Sequence, residues 1–377
     1  MVGRSVYVAD FVPLRPKYET SQEKTLEWFI KAHVKAEEKK QGAGWNREEF
    51  HEQFKANIQK VACKEDKIQK RGHALLDYLH DDWDKMEVYT LNESPRGKEM
   101  GDRIKVFDTI SSEVFDTFYQ DISLPPSDLI HVTCTGYVAP SGAQKLVGKK
   151  NWGDRTFVTH AYHMGCHGAL SALRIGQGFQ GPRTDIVHTE ICSLHTNPAT
   201  HNLDQLVAES LFSDGFIKYS LYPDERKKYL KVLSIHEQII PKSEKAMTWN
   251  LAEWGFKISL AKEIPVLIAR ALEEYLEQLV KKAGLTYDIL KKTHFAIHPG
   301  GPKILQQIQK HLGLEDWQIA RSVEVLKNHG NMSSATIPHV WEKIFSDDSV
   351  GKGEYVVSLA FGPGLSICGA LMQKGGK

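Results

Sequence analysis

An α/β fold is predicted by three features of this 377-residue sequence. Short apolar runs of strand length alternate with amphipathic stretches at helical spacing. Glycine and proline mark the boundaries between them, as at Gly136, Asp214-Gly215, Gly284 and Gly362-Pro363-Gly364. The composition, 41% hydrophobic and 25% charged, is that of a globular chain able to bury one large core or two medium ones.

A net charge of +1 gives no general attraction to nucleic acid or anionic membranes. No run of about 18 apolar residues is present, so no membrane span is expected. The first ten residues lack the apolar core of a secretory leader and read as a first strand. Five scattered cysteines, Cys63, Cys134, Cys166, Cys192 and Cys368, contain no C-x-x-C pair, which argues against a disulfide framework and structural zinc. A soluble, reduced, cytoplasmic protein is the expectation.

Taken in order, residues 21–84 are charged and helical in pattern, with Trp28, Phe29, Ala32, Phe50, Phe54, Ile58 and Val61 at about 3.6-residue spacing. Asn92 to Met100 is a polar loop, and Val106 to Phe118 a helix. Leu129 to Thr135 suits a buried strand, and Arg155 to Tyr162 a short one. Asp185 to Cys192 is again strand-like, followed by a helix from Asp204 to Phe212. Leu230 to Ile240 is a strand, Pro265 to Ala283 a long amphipathic helix, and His294 to Ile297 a strand. Lys303 to Leu312 is a helix, and another ends near Asn328. Tyr355 to Phe361 and an apolar run to Met372 close the chain as two strands around Gly362-Pro363-Gly364.

The main chemical signal is Tyr162-His163-Met164-Gly165-Cys166-His167-Gly168-Ala169-Leu170, a cysteine among glycines where an amphipathic run begins. Unpaired backbone N–H groups and the helix dipole there favour thiolate over thiol. Two later islands complete a set: Ile297-His298-Pro299-Gly300-Gly301-Pro302 and Gly330-Asn331-Met332-Ser333-Ser334-Ala335. A histidine and an asparagine brought to the cysteine could hold both the thiolate and the oxyanion formed when it attacks a thioester. Acyl transfer through cysteine follows. The other four cysteines read as small core residues. His160 and His163 read as strand and loop residues, not zinc ligands. Gly176-Gln177-Gly178-Phe179-Gln180-Gly181 follows a helix and so fails as a dinucleotide fingerprint. The lysine-rich N-terminal helices read as solvated faces.

These islands, together with Leu203-Asp204-Gln205-Leu206-Val207, Leu211-Phe212-Ser213-Asp214-Gly215 and Phe361-Gly362-Pro363-Gly364, occur in an order that resembles the type III polyketide synthases. These are the chalcone synthase-like branch of the thiolase superfamily. The likeness runs from about Leu129 to the C-terminus. It implies a duplicated αβαβα five-layered thiolase-like fold, with an N-terminal half over 1–225 and a C-terminal half over 226–377, assembled as a homodimer. Cys166 would be the nucleophile, its backbone N–H part of an oxyanion hole. His298 and Asn331 would hold the carbonyl of a malonyl thioester as it loses carbon dioxide. The implied reaction is a decarboxylative Claisen condensation onto a cysteine-bound fatty or β-keto acyl starter, giving an alkylpyrone, alkylresorcinol or related product. No cofactor and no metal are implied.

The sequence departs from the family pattern at several places. His167-Gly168-Ala169-Leu170 stands where a phenylalanine and then Ala-Gly-Gly are usual. His167 could tune the thiolate, line the pocket or pack beneath the cysteine. His195 and Ile258 align with two gatekeeper aromatics, which predicts a pocket wider or more polar than in plant chalcone synthases. Pro140 stands near the methionine that reaches into the neighbouring subunit, and Ser333 is assigned to the substrate pocket. Lys60, Gly300, Gly301 and Lys303 are assigned to coenzyme A or phosphopantetheine, while Glu65 occupies an expected lysine position. Acyl-coenzyme A and malonyl-coenzyme A are the expected substrates. A basic rim of Lys55, Lys60, Lys67, Lys70 and Arg71 could instead dock an acyl carrier protein. A ketosynthase III-like enzyme using carrier-bound substrates and a noncatalytic scaffold are the alternatives.

Overall fold

The computed structural model describes residues 5–42 and 44–376. Its chain order begins β1 (Val6–Leu14), β2 (Tyr18–Ser21), α1 (Gln22–Gln41), α2 (Arg47–Val61), β3 (Lys70–His73) and α3 (Met100–Tyr119). It continues with β4 (Asp128–Thr133), α4 (Gly142–Lys149), β5 (Phe157–Tyr162), α5 (Gly168–Gln177), β6 (Thr184–Glu190), α6 (Leu203–Glu209) and β7 (Gly215–Tyr222). The remainder is β8 (Lys228–Ile239), β9 (Met247–Ala252), β10 (Gly255–Leu260), α7 (Ile264–Lys282), β11 (His294–Ile297), α8 (Pro302–Leu312), α9 (Asp316–His329), α10 (Thr336–Ser346), β12 (Tyr355–Gly362) and β13 (Ser366–Gly376). The α/β class is therefore observed.

A nine-stranded sheet runs β11-β12-β13-β8-β1-β7-β6-β4-β5. It contains one strand pattern twice. From β1, the steps to β7 and β6 are antiparallel and the step to β4 is parallel. From β8, the steps to β13 and β12 are antiparallel and the step to β11 is parallel. The antiparallel β1–β8 pair joins the two sets, and β5 extends the first in parallel.

Helices cover both faces. One core cluster joins α5 (Leu170, Leu173) and α10 (Ile337, Val340, Trp341) to strands of both sets. A second packs α7, α8 and α9 against the C-terminal strands, and a third packs α1, α3 and α4 against the N-terminal ones. Burial of each large apolar side chain contributes about 1.5–3 kcal/mol, which fixes these helices to the sheet. Local signals set their limits. Ser21 and Asn46 cap α1 and α2 by accepting N–H bonds from Lys24 and Glu49, and Gly313 ends α8 in the left-handed region at φ 62°.

The two most buried helices begin in the same way. A 3₁₀ turn at Gly165–His167 leads into α5, and one at Ser333–Ala335 leads into α10. Each turn enters the shared central core, so the repeated topology carries the Cys166 segment and the Asn331 segment to one place.

Candidate active site

Cys166 sits in the first of those turns. Gly165 before it has φ +70°, and a Cβ there would lie 2.5 Å from Pro363 Cδ, so glycine is required by both conformation and space. The Gly165 N–H donates to Cys134 Sγ at 3.1 Å, and Cys134 Sγ donates back to Gly165 O at 3.4 Å. Cys134 is thus a support for the turn. Cys166 shares a hydrogen bond with the Ser333 side chain. Burial, and then the neighbouring Glu190, push the Cys166 thiol up to about 12 against that bond. Desolvation thus acts against the thiolate that the helix start favours.

Glu190 is buried and lies between the two turns. Its carboxylate accepts from the Cys134 N–H at 2.9 Å, from Thr135 Oγ1 at 3.1 Å, and from the Ser334 hydroxyl. Sequence reading missed this group, although it ends a strand directly before the Cys192 turn.

His298 follows β11, its N–H donating to Leu359 O at 2.7 Å. Both of its ring nitrogens are buried and have no hydrogen-bond partner. Burial, with His167 nearby, pushes the imidazole down to about 3, so it is neutral. A Cβ on Gly300 would lie 3.7 Å from His298 Nε2, and the same Gly300 accepts at its carbonyl from Asn331 Nδ2 at 3.3 Å. Asn331 Oδ1 accepts from the Ser333 N–H at 2.9 Å. Backbone bonds to Leu211 O (2.8 Å) and from Ser213 N (2.9 Å) hold Asn331 in register. A continuous path therefore runs from Cys166 through Ser333 and Asn331 to Gly300 and His298.

His167 is buried beside Gly362, whose Cα leaves no room for a Cβ because His167 Nδ1 occupies the space. That nitrogen has no partner, and burial pushes the ring's pKa down.

His195 is not the open polar edge expected of it. Its Nε2–H donates to Thr135 O at 2.9 Å, and its Nδ1 accepts from the Phe256 N–H at 3.2 Å. Both ring nitrogens are used, and burial holds the ring near a pKa of about 3. His195 and Ile258 do line one cavity, together with Phe29, His73, Cys192, Phe212, Trp249 and Phe256, among others. Its volume is about 40 Å³, room for about three waters and no alkyl chain. Trp249, which the sequence reading did not weigh, pairs with Ile258 across the β9–β10 hairpin and lines the same cavity. Its Nε1–H donates to Cys134 O at 2.7 Å, and its ring stacks on Phe256 at 5.5 Å.

The remaining assigned residues lie on the periphery. Pro140 is exposed ahead of α4, at the same end as the exposed Tyr137. Lys60 is exposed near the end of α2, and Lys303 is exposed in the first turn of α8, which Gly301 caps. A helix start with a cation beside it suits a phosphate. Arg71 does not belong to a basic rim: it is 1% exposed, and its Nη1 donates to Glu209 O and to Phe212 O at 2.5 and 2.9 Å. Lys67 and Lys70 are paired with Asp66 and Glu19. Among the described residues no helix is long and apolar enough to cross a membrane.

Residues 231–374 match the family model described as the C-terminal domain of chalcone and stilbene synthases. The chain is 34% identical over 256 residues to probable polyketide synthase 1 of Dictyostelium discoideum, covering 65% of this chain and 8% of that protein. It is 29% identical over 257 residues to type III polyketide synthase C of Arabidopsis thaliana, covering 65% of this chain and 66% of that protein. It therefore spans less than two thirds of either relative's length. Among solved structures, it resembles the C-terminal type III polyketide synthase domain of Steely1, a type I/III hybrid from Dictyostelium. That match has TM-score 0.80 and 24% identity, covering 98% of this chain and 99% of that one. PKS-I of the brown alga Ectocarpus siliculosus matches with TM-score 0.83 and 21% identity, over 98% of each chain.

Proposed function

Because the chain belongs to the chalcone synthase-like type III polyketide synthases, we propose that it extends a cysteine-bound acyl group by decarboxylative Claisen condensation. The observation that carries this reading is His298: a buried, neutral imidazole with both nitrogens free, set beside Asn331 at the Cys166 turn. Such a group is held ready for a partner from outside the chain.

In the first step the Cys166 sulfur attacks the acyl thioester. His298 takes the thiol proton and returns it to the departing thiolate, so a new thioester forms and a free thiol leaves. In the second step a malonyl thioester loses carbon dioxide. The electron pair of the broken C–C bond passes into an enolate, whose oxygen receives N–H bonds from His298 and Asn331. Neutral donors fixed at the site of developing charge lower the barrier without reorganisation. The enolate carbon then attacks the Cys166 thioester, a C–C bond forms, and Cys166 departs as thiolate.

The proposal extends to architecture: halves at 1–225 and 226–377, five αβαβα layers, and a homodimer. The repeated strand pattern and the central position of α5 and α10 support the layering. Coenzyme A thioesters are the proposed donors, with Lys303, Gly300, Gly301 and Lys60 towards the phosphates; the burial of Arg71 weakens the case for a carrier-protein rim. A fatty or β-keto acyl starter, leading to an alkylpyrone or alkylresorcinol, is the proposed substrate class, favoured by the aliphatic Ile258.

Decarboxylation of malonyl-coenzyme A by the purified protein tests the assignment. Cys166→Ala should retain it, and His298→Ala should lose it by a hundredfold or more, about 2.7 kcal/mol of transition-state stabilisation. Unchanged decarboxylation in His298→Ala would remove the assigned role. A chain that decarboxylates nothing and forms no Cys166 adduct with any donor would be a scaffold.

A further inference from the structure

A buried arginine packs against the glycine that precedes Asn331. Resting on the acyltransfer reading above, we propose that Arg71 is a positioning residue for the decarboxylation step. It holds residues 209–213 against the Asn331 loop, so that the Asn331 amide keeps its place at the enolate oxygen.

The backbone of Asn331 is held from one side by the turn after α6. Its N–H donates to Leu211 O at 2.8 Å, and its carbonyl accepts from the Ser213 N–H at 2.9 Å, a parallel bridge centred on Phe212. The Ser213 hydroxyl adds a bond to His329 O. Arg71 reaches both sides of this seam. Its Nη1 donates to Glu209 O, at the end of α6, and to Phe212 O, in the turn that follows. Its stem packs on Gly330, where a Cβ would lie 3.3 Å from Arg71 Cγ and 3.0 Å from Leu211 O. The chain on either side of Arg71 spans the same seam. The Gln69 N–H donates to Lys327 O at 2.7 Å, in the last turn of α9, and Gly72 O accepts from the Asp214 N–H at 3.0 Å, beside the start of β7.

Stability alone does not account for a guanidinium in this place. Its Nη1 is bonded to carbonyls, not to a carboxylate, and its Nε and Nη2 are buried without partners. Burial pushes the group down to about 10, against the pull of Tyr78, Cys63, Glu209 and Asp214, so it stays charged at neutral pH. An apolar side chain of the same volume would cost the fold less than a cation so incompletely paired. What the guanidinium supplies is direction. Carbonyls at a helix end carry partial negative charge, and one donor shared between two of them fixes the turn that Asn331 pairs with. The Phe29 ring, its centroid 5.3 Å from the guanidinium carbon, backs the head of the side chain. A displacement of about 1 Å at a group that meets developing charge costs on the order of a hundredfold in rate. The loss should fall on one step. Asn331 serves the enolate in decarboxylation, whereas attack on the acyl thioester uses the Cys166 turn and His298.

The test compares two rates of the purified protein: decarboxylation of malonyl-coenzyme A, and acylation of Cys166 by acetyl- and hexanoyl-coenzyme A, read by intact mass. Arg71→Met keeps an unbranched side chain and removes both donor and charge. It should lower decarboxylation tenfold or more and leave acylation within about twofold of the wild type. Arg71→Lys returns a charged donor and should recover most of the decarboxylation lost in Arg71→Met, which a role in filling space would not permit. Ser213→Ala cuts the seam at another tie without removing a buried charge. It should give a smaller loss with the same selectivity, and it decides the matter if Arg71→Met does not fold. Equal losses in the two rates, unchanged decarboxylation, or an Arg71→Lys protein no better than Arg71→Met would overturn the proposal while leaving the acyltransfer reading intact. A wild-type chain that forms no Cys166 adduct or releases no carbon dioxide would overturn both.

Discussion

At the scale of single residues, the site depends on desolvation more than on formal charge. Cys166 lies at a helix start, which lowers a thiol pKa, yet burial and Glu190 push it up to about 12. His298 is pushed down to about 3. Both groups are therefore neutral near pH 7, and the proposed mechanism moves the proton from Cys166 to His298 as the thioester is attacked. It follows that alkylation of Cys166 by iodoacetamide should rise about tenfold per pH unit between pH 7 and 10, with no plateau in that range. A rate that levels off below pH 8 would show a resting thiolate. Cys166, His298 and Asn331 stand out in the sequence because glycines and turns mark their islands. Trp249 and Glu190 do not, since nothing local separates them from ordinary strand residues. Their surroundings arise from what the fold places opposite them.

Among elements, the predictable ones were those with a polar side. The strand at His294–Ile297 was read with its observed limits, and α7 and α8 within one residue at each end. By contrast, α10 was missed: it starts directly from a 3₁₀ turn with no capping side chain, and Pro338 stands in its first turn. The strand β7 was missed because Lys218 and Ser220 are buried within it and break the apolar run. The hairpin β9–β10 carries the pocket wall on a half-exposed, mixed sequence. The junction of α1 with α6 was equally invisible. There His33 Nδ1 meets His201 Nδ1 at 3.0 Å, and their outer nitrogens contact Glu209 at 3.2 Å and Glu37 at 3.0 Å. Burial works against the Glu37 carboxylate, but bonds from Gln41, Lys40 and His201 hold it at about 2. A depressed carboxylate stabilises the fold above its unfolded pKa of about 4.5 and loses that contribution as pH falls towards 2. Glu37→Gln should therefore flatten the loss of unfolding free energy between pH 5 and 3, by on the order of 1–3 kcal/mol, in urea titrations. An unchanged pH slope would show that the tie contributes nothing.

For the whole molecule, the sheet ends differently at its two edges. At one end the short strand β11 packs against α9 and α10, which cover that edge. At the other end β5 pairs with β4 on one side only, and it begins with Phe157, 77% exposed. A parallel edge strand with free N–H and C=O groups and an exposed aromatic is one that proteins normally cover. Leu124 and Tyr137 are also exposed around this end, and Pro140 projects in the same region. The proposed homodimer would cover that edge with a second copy of itself through a two-fold axis, since an isologous contact closes the assembly. It would also bring Pro140 towards the neighbouring site. Sedimentation velocity at micromolar concentration should then give a species of about twice the chain mass. Phe157→Lys should shift it towards monomer by adding two like charges across the axis. The monomeric variant should retain its circular dichroism spectrum, because Phe157 makes little of the chain's own core. A wild-type monomer, or a Phe157→Lys variant that stays dimeric, would place the contact elsewhere or remove it.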